Sequence, residues 1–323
     1  MTIGNDIGDR KEVFRTVSEF SGEIIVEDVS DGTQEVRRLV FMKNQNCIQS
    51  EALLKVAKKK DSSSSGEKQI DFTRLTCDHH SALVAGLALV MPLFQRGSRV
   101  HVSVVGLGGG VFPMFLHHVW ECMKIDSVEI DPAIVEVARN SFQFVEDDRM
   151  TAHVADGLEY IKQHKDRFEV LILDVDSKDN SQGISCPPVI FLEEEILRQV
   201  YDNLDENGVF MINLVCRSPS LREETQKKVC SIFPQVMVMK MERDLNTIIF
   251  AFKKPIRRPT ETKDLLQCLK EINKKAKRPM QPDSSIFSVL EEVVLEELTP
   301  PVQTAVPPSR PKKAAKKPNK KKK

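Results

Sequence analysis

Val102-Ser103-Val104-Val105-Gly106-Leu107-Gly108-Gly109-Gly110 decides the fold of this 323-residue chain. A valine-rich run ends in Gly106, Gly108 and Gly110, and the apolar stretch Val111–Cys122 follows at once. That order reads as a buried strand, a tight turn and a helix. Glycine suits such a turn because a Cβ would keep the backbone from approaching a ligand closely. The first N–H groups of the helix then face whatever binds. Glycine-rich turns also arise for packing alone, so the flanking sequence has to decide.

Ser127-Val128-Glu129-Ile130-Asp131-Pro132 reads as a second strand ending in acid. Glu129 lies 23 residues after Gly106, near the roughly 20-residue offset at which an acidic side chain meets a ribose diol. A carboxylate ending an apolar strand needs a partner, and a ribose offers two hydroxyl donors. Asp131 reads as a helix cap, with Pro132 at the first helical position, where a missing N–H is harmless. Asp156-Gly157 follows a third strand. Asp156 there either accepts from the exocyclic amine of an adenine or caps a helix, and spacing does not separate the two. Asp174 and Asp176 end a fourth strand in Val-Leu-Ile-Leu-Asp-Val-Asp. Alternation puts them on one side of that strand, where two carboxylates are costly unless a cation sits between them. A sulfonium or an amine would serve. The plainer alternative is a solvated acidic loop, because Ser177-Lys178-Asp179-Asn180 follows. Asn213 ends a fifth strand, where it either holds a substrate backbone or caps the strand end.

The wider pattern alternates. Strands are expected at Val100–Val105, Ser127–Ile130, Met150–Val154, Val170–Val175 and Val209–Leu214, with helices at Val111–Cys122, Pro132–Phe142, Leu158–Gln163 and Phe191–Leu204. Such alternation implies a mostly parallel, doubly wound α/β sheet. A helix at Ser218–Ile232 precedes two strands, Val236–Met241 and Asn246–Phe252, joined by a short turn. That antiparallel ending distinguishes a seven-stranded, Rossmann-like methyltransferase sheet from an ordinary dinucleotide-binding one. Ahead of it, residues 1–12 read as disordered and 13–95 as a β-rich extension with a helix at Asp78–Phe94. The extension has turns at Ser21-Gly22 and Asp31-Gly32, a hairpin of Leu39–Met42 with Asn46–Gln49, and a flexible loop at Lys58–Lys68. The core is expected over 96–255. Two amphipathic helices, Thr262–Ala276 and Ser284–Leu298, are expected within 256–300, the second packing on the core. A disordered Lys/Pro-rich tail covers 301–323.

Lys plus Arg equal Asp plus Glu at 47 each, but the balance is uneven: residues 305–323 hold nine Lys/Arg and no acid, which leaves the body nine charges negative. An acidic body suits a basic partner, and the tail suits acidic partners or weak RNA contact. No aromatic-rich basic surface indicates a specific nucleic-acid reader. The seven cysteines form no C-x-x-C pair, so they read as buried thiols in a reducing compartment rather than a zinc site or a disulfide framework. Met1–Lys11 is not a signal peptide. The longest apolar run, Ala82–Phe94, is 13 residues, short of the roughly 20 that span a bilayer. A soluble, cytoplasmic protein is expected. There is no G-x-S-x-G elbow and no P-loop lysine. His79 and His80 are not expected to converge on one metal with Cys77, His117-His118 lacks H-E-x-x-H spacing, and no metal is expected.

Val105–Gly110, Val128–Pro132, Ala155–Gly157 and Leu173–Asp176 resemble the successive motifs of class I S-adenosylmethionine-dependent methyltransferases. The spermidine-synthase-like branch is the nearer likeness: Asn44–Ser50 resembles its D-G-x-x-Q-S hairpin, and Thr76-Cys77-Asp78-His79-His80 its Y-H-E helix start. More narrowly, Val40–Leu54, Cys77–Leu89, Val105–Gly110, Glu129–Pro132, Asp174–Asp179 and Ser185–Pro188 are similar to the C-terminal module of a family of dual methyltransferases of translation elongation factor 1-alpha. The resemblance covers residues 35–255. Together with the strand pattern and the tail composition it gives a seven-stranded sheet with an N-terminal β-hairpin extension and a C-terminal basic tail, and the resemblance implies S-adenosylmethionine as cofactor and a protein substrate. That substrate is the N-terminal α-amine of the elongation factor, and the lysine activity of that family's other module is not expected. It also implies cofactor contacts at Gln49, Gly106, Gly108, Gly110, Glu129, Ile130, Asp156, Gly157 and Asp174, and catalytic roles for Asp174, Asp176 and Asn213. Pro187-Pro188 and Gln49 would wall the site. Polyamine synthases carry an aspartate within this loop to hold an aminopropyl ammonium. That position is Gly108 here, so methyl transfer is expected over aminopropyl transfer. An aminopropyltransferase and a non-catalytic binding module are the alternatives.

Overall fold

The computed structural model describes residues 9–45, 47–56, 68–90, 93–94, 97, 99–164, 167–177, 183–241, 245–256, 262–274, 276, 278–280 and 285–298. Strands β1 (Asp9–Ser18), β2 (Gly22–Ser30), β3 (Glu35–Phe41), β4 (Ile48–Val56) and β5 (Lys68–Ile70) form an antiparallel sheet in chain order. The expected disorder over 1–12 is corrected for residues 9–12, which belong to β1; residues 1–8 lie outside the described part. Charge concealed this strand. β1 is an edge, where charged side chains are normal, and Arg10 and Arg15 pair with Glu27 and Glu23 of β2. The expected hairpin is thus a five-stranded meander. Its Asp31 turn is held by one carboxylate oxygen accepting from the N–H groups of Thr33 and Gln34, both at 2.8 Å, with Gly32 at φ +87°. Of the loop expected at Lys58–Lys68, residues 58–67 lie outside the described part, and Lys68 opens β5.

Helix α1 (Asp78–Gly86) leads into the large sheet. Strands β6 (Val100–Val105), β7 (Met123–Glu129), β8 (Met150–Val154) and β9 (Phe168–Leu173) alternate with helices α2 (Val111–Val119), α3 (Pro132–Ser141) and α4 (Gly157–Gln163). There follow β10 (Ile184–Cys186), α5 (Glu194–Asn203), β11 (Leu204–Cys216), α6 (Pro219–Cys230), β12 (Gln235–Met241), β13 (Asn246–Phe252), α7 (Thr262–Lys274), α8 (Ser285–Glu292) and β14 (Val293–Leu298). The strand order is β14-β12-β13-β11-β9-β6-β7-β8, with β10 added antiparallel beside the end of β11. The β9-β6-β7-β8 and β9-β11 pairs are parallel, while β11-β13, β13-β12 and β12-β14 are antiparallel.

Seven of these strands match the expected ones, but the sheet has nine, so the seven-strand count is corrected. The helix expected at Ser284–Leu298 is also corrected: it stops at Glu292, and Val293–Leu298 pairs with β12, Val238 opposite Glu296. Val-Val-Leu-Glu-Glu-Leu suits a strand as well as a helix by composition, and the exposed edge of β12 offers backbone partners that a helix would leave unused. The Lys240–Glu296 ion pair at 2.6 Å crosses that junction. The basic tail, residues 301–323, lies outside the described part.

Two apolar clusters cover the two faces of the large sheet. One gathers Ile24, Val26 and Leu39 of the N-terminal sheet together with Val102 and Val104, Phe115, Phe142 and Leu265. The other joins Phe168, Leu171, Phe210, Ile212 and Phe233. The N-terminal sheet therefore shares a core with the doubly wound layer. A buried carboxylate pins the two. Asp131 is 1% exposed, accepts from Ser18 Oγ at 2.5 Å, Ser21 Oγ at 2.7 Å and Ala133 N–H at 3.0 Å, and so caps α3 while holding the β1–β2 turn.

Candidate active site

After β6 the chain builds β7 and β8 on one side, then returns to lay β9 on the other. That reversal opens a crevice at the carboxyl ends of β6 and β9, where open α/β sheets bind ligands. Gly106 and Asp174 meet there. Asp174 N–H donates to Val105 O at 2.9 Å, and a Cβ on Gly106 would stand 2.0 Å from Asp174 O. Gly106 also has φ +101°, a region side chains avoid.

The loop amides were expected to face a ligand, and most of them do not. Gly106 N–H donates to Val128 O at 2.8 Å, Leu107 N–H to Glu129 Oε2 at 3.2 Å, Gly109 N–H to Ser50 Oγ at 2.8 Å and Gly110 N–H to Leu107 O at 2.9 Å. A Cβ at Gly108 would lie 2.5 Å from Ser50 Oγ, and one at Gly110 2.5 Å from Phe144. Part of the glycine requirement is therefore internal packing. Ser50, buried on β4, was not among the expected site residues, although it closes the Q-S pair that marks that hairpin. Its hydroxyl accepts from Gly109 and has a proton of its own to donate.

Glu129 ends β7. Its Oε1 accepts from Asp131 N–H at 3.0 Å, so with the Leu107 bond it ties the glycine loop to the start of α3. Ile130 beside it is 40% exposed, unusual for an isoleucine within a core motif. Asp156 caps α4, its Oδ1 accepting Leu158 N–H at 2.7 Å. Gly157 is buried, and a Cβ on it would come within 2.5 Å of Val105 Cγ1, so the tight approach of α4 to β6 requires glycine there.

Asp174 was expected to need an external cation. The protein supplies one. His80, on the first turn of α1, places Nε2 3.0 Å from Asp174 Oδ2, and His79 Nε2 stands 3.8 Å away. Asn213 Nδ2 donates to the other oxygen, Oδ1, at 2.8 Å, and Asn246 Nδ2 donates to Asn213 Oδ1 at 2.7 Å. Burial works against both charges. The hydrogen bond of His80 and the charges of both histidines nevertheless hold the Asp174 carboxyl well below the usual carboxylate range. Asp174 in turn, helped by Cys77, raises His80 to about 10. His80 also stacks on Phe112 with ring centroids 4.9 Å apart at 18°. Asn213, expected to hold substrate or to cap its strand, orients Asp174.

Asp174 and Asp176 both lie beyond the end of β9, so strand alternation does not govern their relation. Asp176 is open to solvent at the rim. Although part of the side chain reaches solvent, the protein atoms crowded around its carboxyl, then the negative Asp174, push that carboxyl up to about 6, while a hydrogen bond with Gln49 pulls the other way. Cys186, buried on β10 at the start of a cis Cys186–Pro187 peptide, feels both aspartates. Cys77, His79 and His80 bring donor atoms within 4.8 Å of one another, which corrects the expectation that they could not converge. A zinc-like ion suits such donors. Here His80 Nε2 is committed to Asp174, and we read the cluster as support for that carboxylate.

Residues 86–248, half of the chain, match the family described as "Spermine/spermidine synthase domain". The chain belongs to that family. It is 38% identical over 90% of its length to the "eEF1A lysine and N-terminal methyltransferase" of Xenopus laevis, of which it spans 45%. This spermine/spermidine synthase domain chain thus spans under half the length of that relative. Among solved structures it resembles human methyltransferase-like protein 13 in complex with SAH, at 37% identity and TM-score 0.57, covering 64% of this chain and 96% of that one. A probable spermidine synthase from Corynebacterium glutamicum shares the fold, with 15% identity and TM-score 0.60 over 83% of this chain and 89% of that one.

Proposed function

We propose that the chain is an S-adenosylmethionine-dependent protein methyltransferase acting on the N-terminal α-amine of eEF1A. Gly108 carries the choice of methyl over aminopropyl transfer. An aspartate there would oppose the carboxylate of intact S-adenosylmethionine at low effective dielectric. The space beyond Gly108 is also taken by Ser50 Oγ, so a side chain at that position collides with the Ser50 hydroxyl. The likeness to relatives named for eEF1A methylation supports the substrate, as does an acidic body facing a basic partner.

The residues present fit the cofactor. Glu129 stands at the ribose station, Ile130 offers an exposed apolar face to adenine, and Asp156 lies at the next strand end. Ser50, whose hydroxyl accepts from Gly109 and keeps a proton to donate, would meet the amino-acid end together with the loop. When bound, S-adenosylmethionine supplies an electrophilic methyl group on a sulfonium. Asp174, fixed by His80 and Asn213, orients the incoming amine. Asp176, at the solvent rim and pushed up to about 6, takes the proton through water. A strong base is not needed, because an α-amine has pKa about 7.7–8.0 against about 10.4 for lysine, an advantage of about 3.5 kcal/mol. Gln49 and the Pro187-Pro188 turn wall the cleft. No helix among the described residues is long and apolar enough to cross a membrane, and we place the protein in the cytoplasm with its substrate.

The test is mass spectrometry of an eEF1A N-terminal peptide incubated with enzyme and S-adenosylmethionine, beside the same peptide N-acetylated and beside putrescine with decarboxylated cofactor. Methylation of the free amine alone is expected. Aminopropylation of putrescine, or no product, would overturn the reading.

A further inference from the structure

We propose that His80 is a positioning residue that keeps the acceptor carboxylate Asp174 electrically balanced, so that the inner site takes its amine neutral and selects α-amines over lysine side chains. This rests on the methyltransferase reading above and adds to it the group that sets amine selectivity.

The argument begins with charge. A carboxylate alone beside an amine stabilises the ammonium, and an ammonium has no lone pair with which to attack. Asp174 is not alone. His80 Nε2 lies 3.0 Å from Oδ2, with the two side chains 14% and 17% exposed; because that contact raises His80 and lowers Asp174, the two form an imidazolium–carboxylate pair with no net charge. The other Asp174 oxygen is met by Asn213, itself met by Asn246, both neutral. His80 cannot swing away easily: its ring lies on Phe112 of α2. An imidazolium on the first turn of a helix faces the positive end of the helix dipole, so only a strong anionic partner accounts for it there, and Asp174 is that partner.

The other titratable groups around the pair sort by element. From the N-cap and first turn of α1 come Cys77 and His79, the latter 3.8 Å from the same Asp174 oxygen. From β10 comes Cys186, a thiol whose loss of a proton is strongly disfavoured by burial and by both aspartates. From the segment before β4 comes Cys47, likewise pushed up by burial and by Asp176. From the β9 loop comes Asp176, at the rim. The inner pair is therefore neutral and the rim is acidic. A protonated amine is drawn to Asp176 and gives up its proton there. The neutral amine then accepts orientation from Asp174. Lysine, with its higher pKa, is penalised at the deprotonation step and gains nothing from the balanced inner pair.

The variant His80→Gln keeps a hydrogen-bond donor and removes the charge. With a free N-terminal peptide it should lower KM several-fold, lower kcat at least tenfold, and move the acidic limb of the kcat profile up by about one pH unit, while narrowing the preference for α-amine over lysine peptides. His80→Lys, which restores a cation, should return the limb toward its original position. A purely structural role would reduce kcat in both variants without moving the limb, and that result would overturn the proposal. NMR titration of the wild-type histidines, needing no turnover, gives a second reading. His80 should stay protonated from pH 6 to 8.5, and Asp174→Asn should return it to ordinary titration. An imidazole in the wild type that titrates near 6.5 would also overturn the proposal. If the wild type methylates no peptide, the methyltransferase reading falls and this one with it; if it turns over and only these signatures fail, this one falls alone.

Discussion

Gly106 and Asp174 are in backbone contact across the reversal of strand order, close enough that one added methyl group would overlap the Asp174 carbonyl. The glycine loop and the acceptor carboxylate are therefore one rigid unit rather than two stations set independently. Gly106→Ala should cost about 2–4 kcal/mol, from a forbidden dihedral and an overpacked backbone contact. Urea denaturation measures it, and a midpoint equal to wild type would show that the two strand ends are free to separate.

Gly108→Asp reads from sequence as a fold-neutral change that weakens cofactor binding. The structure revises the first half. With φ +54° and Ser50 Oγ in the way, the substitution should destabilise by about 1–3 kcal/mol as well as weaken binding of S-adenosylmethionine. Adding Ser50→Gly should recover part of the stability and none of the affinity. Calorimetry on the double variant separates the two effects; restored affinity would mean that the carboxylate is not the obstacle.

Asp131→Ala should cost about 2–4 kcal/mol, because it removes a helix cap and leaves Ser18 and Ser21 without their shared acceptor. Limited proteolysis should show early cutting near the β1–β2 turn. Cutting that begins elsewhere would place the weak point outside this junction.

Asp174→Asn should abolish methyl transfer. It should also lower the melting temperature, since breaking a buried pair costs about 3–5 kcal/mol and leaves the His80 charge uncompensated. Read from the sequence alone, loss of Asp174 leaves thermal stability within a few degrees of wild type. Differential scanning calorimetry decides, and a melting temperature within a degree of wild type would argue that His80 is neutral there.

Asp126, in the middle of β7, sits between His101 and His153, the latter at 2.8 Å. Burial raises its pKa, but the two histidine bonds outweigh burial and hold it far below the usual carboxylate range. A depressed folded value means that its stabilisation is complete above the unfolded value of about 3.9 and is lost as pH falls toward the folded one. The gap in unfolding free energy between wild type and Asp126→Asn should therefore be full at pH 5 and shrink steadily below pH 4. A gap independent of pH would remove the carboxylate charge from the account.

Local signals carried most of what was legible in advance. Apolar strand ends running into glycine or acid marked β6, β7 and β9, and Asp131 before a proline marked a cap. What escaped was set by partners distant in sequence. His80 meets Asp174 across 94 residues, and no pattern around either residue names the other. Ser50 meets Gly109 across 59. Val293–Leu298 satisfies helical and strand patterns alike, and only the vacant side of β12 decides between them. The polar start of β1 read as disorder because an edge strand wears the charges of a loop. The turn after β6 holds the glycines as the sequence pattern has it, and the crowding of Asp174, Ser50, Phe142 and Phe144 against them is a reason for glycine that the pattern does not reveal.

The rivet at Asp131 has an engineering corollary. A surgeon of this fold who trimmed the chain just ahead of β6, hoping to keep a minimal catalytic half, would strip Ser18, Ser21, Ser50 and His80 at one stroke. The remnant would own every signature motif of its lineage and still lack the scaffolding that makes them a site.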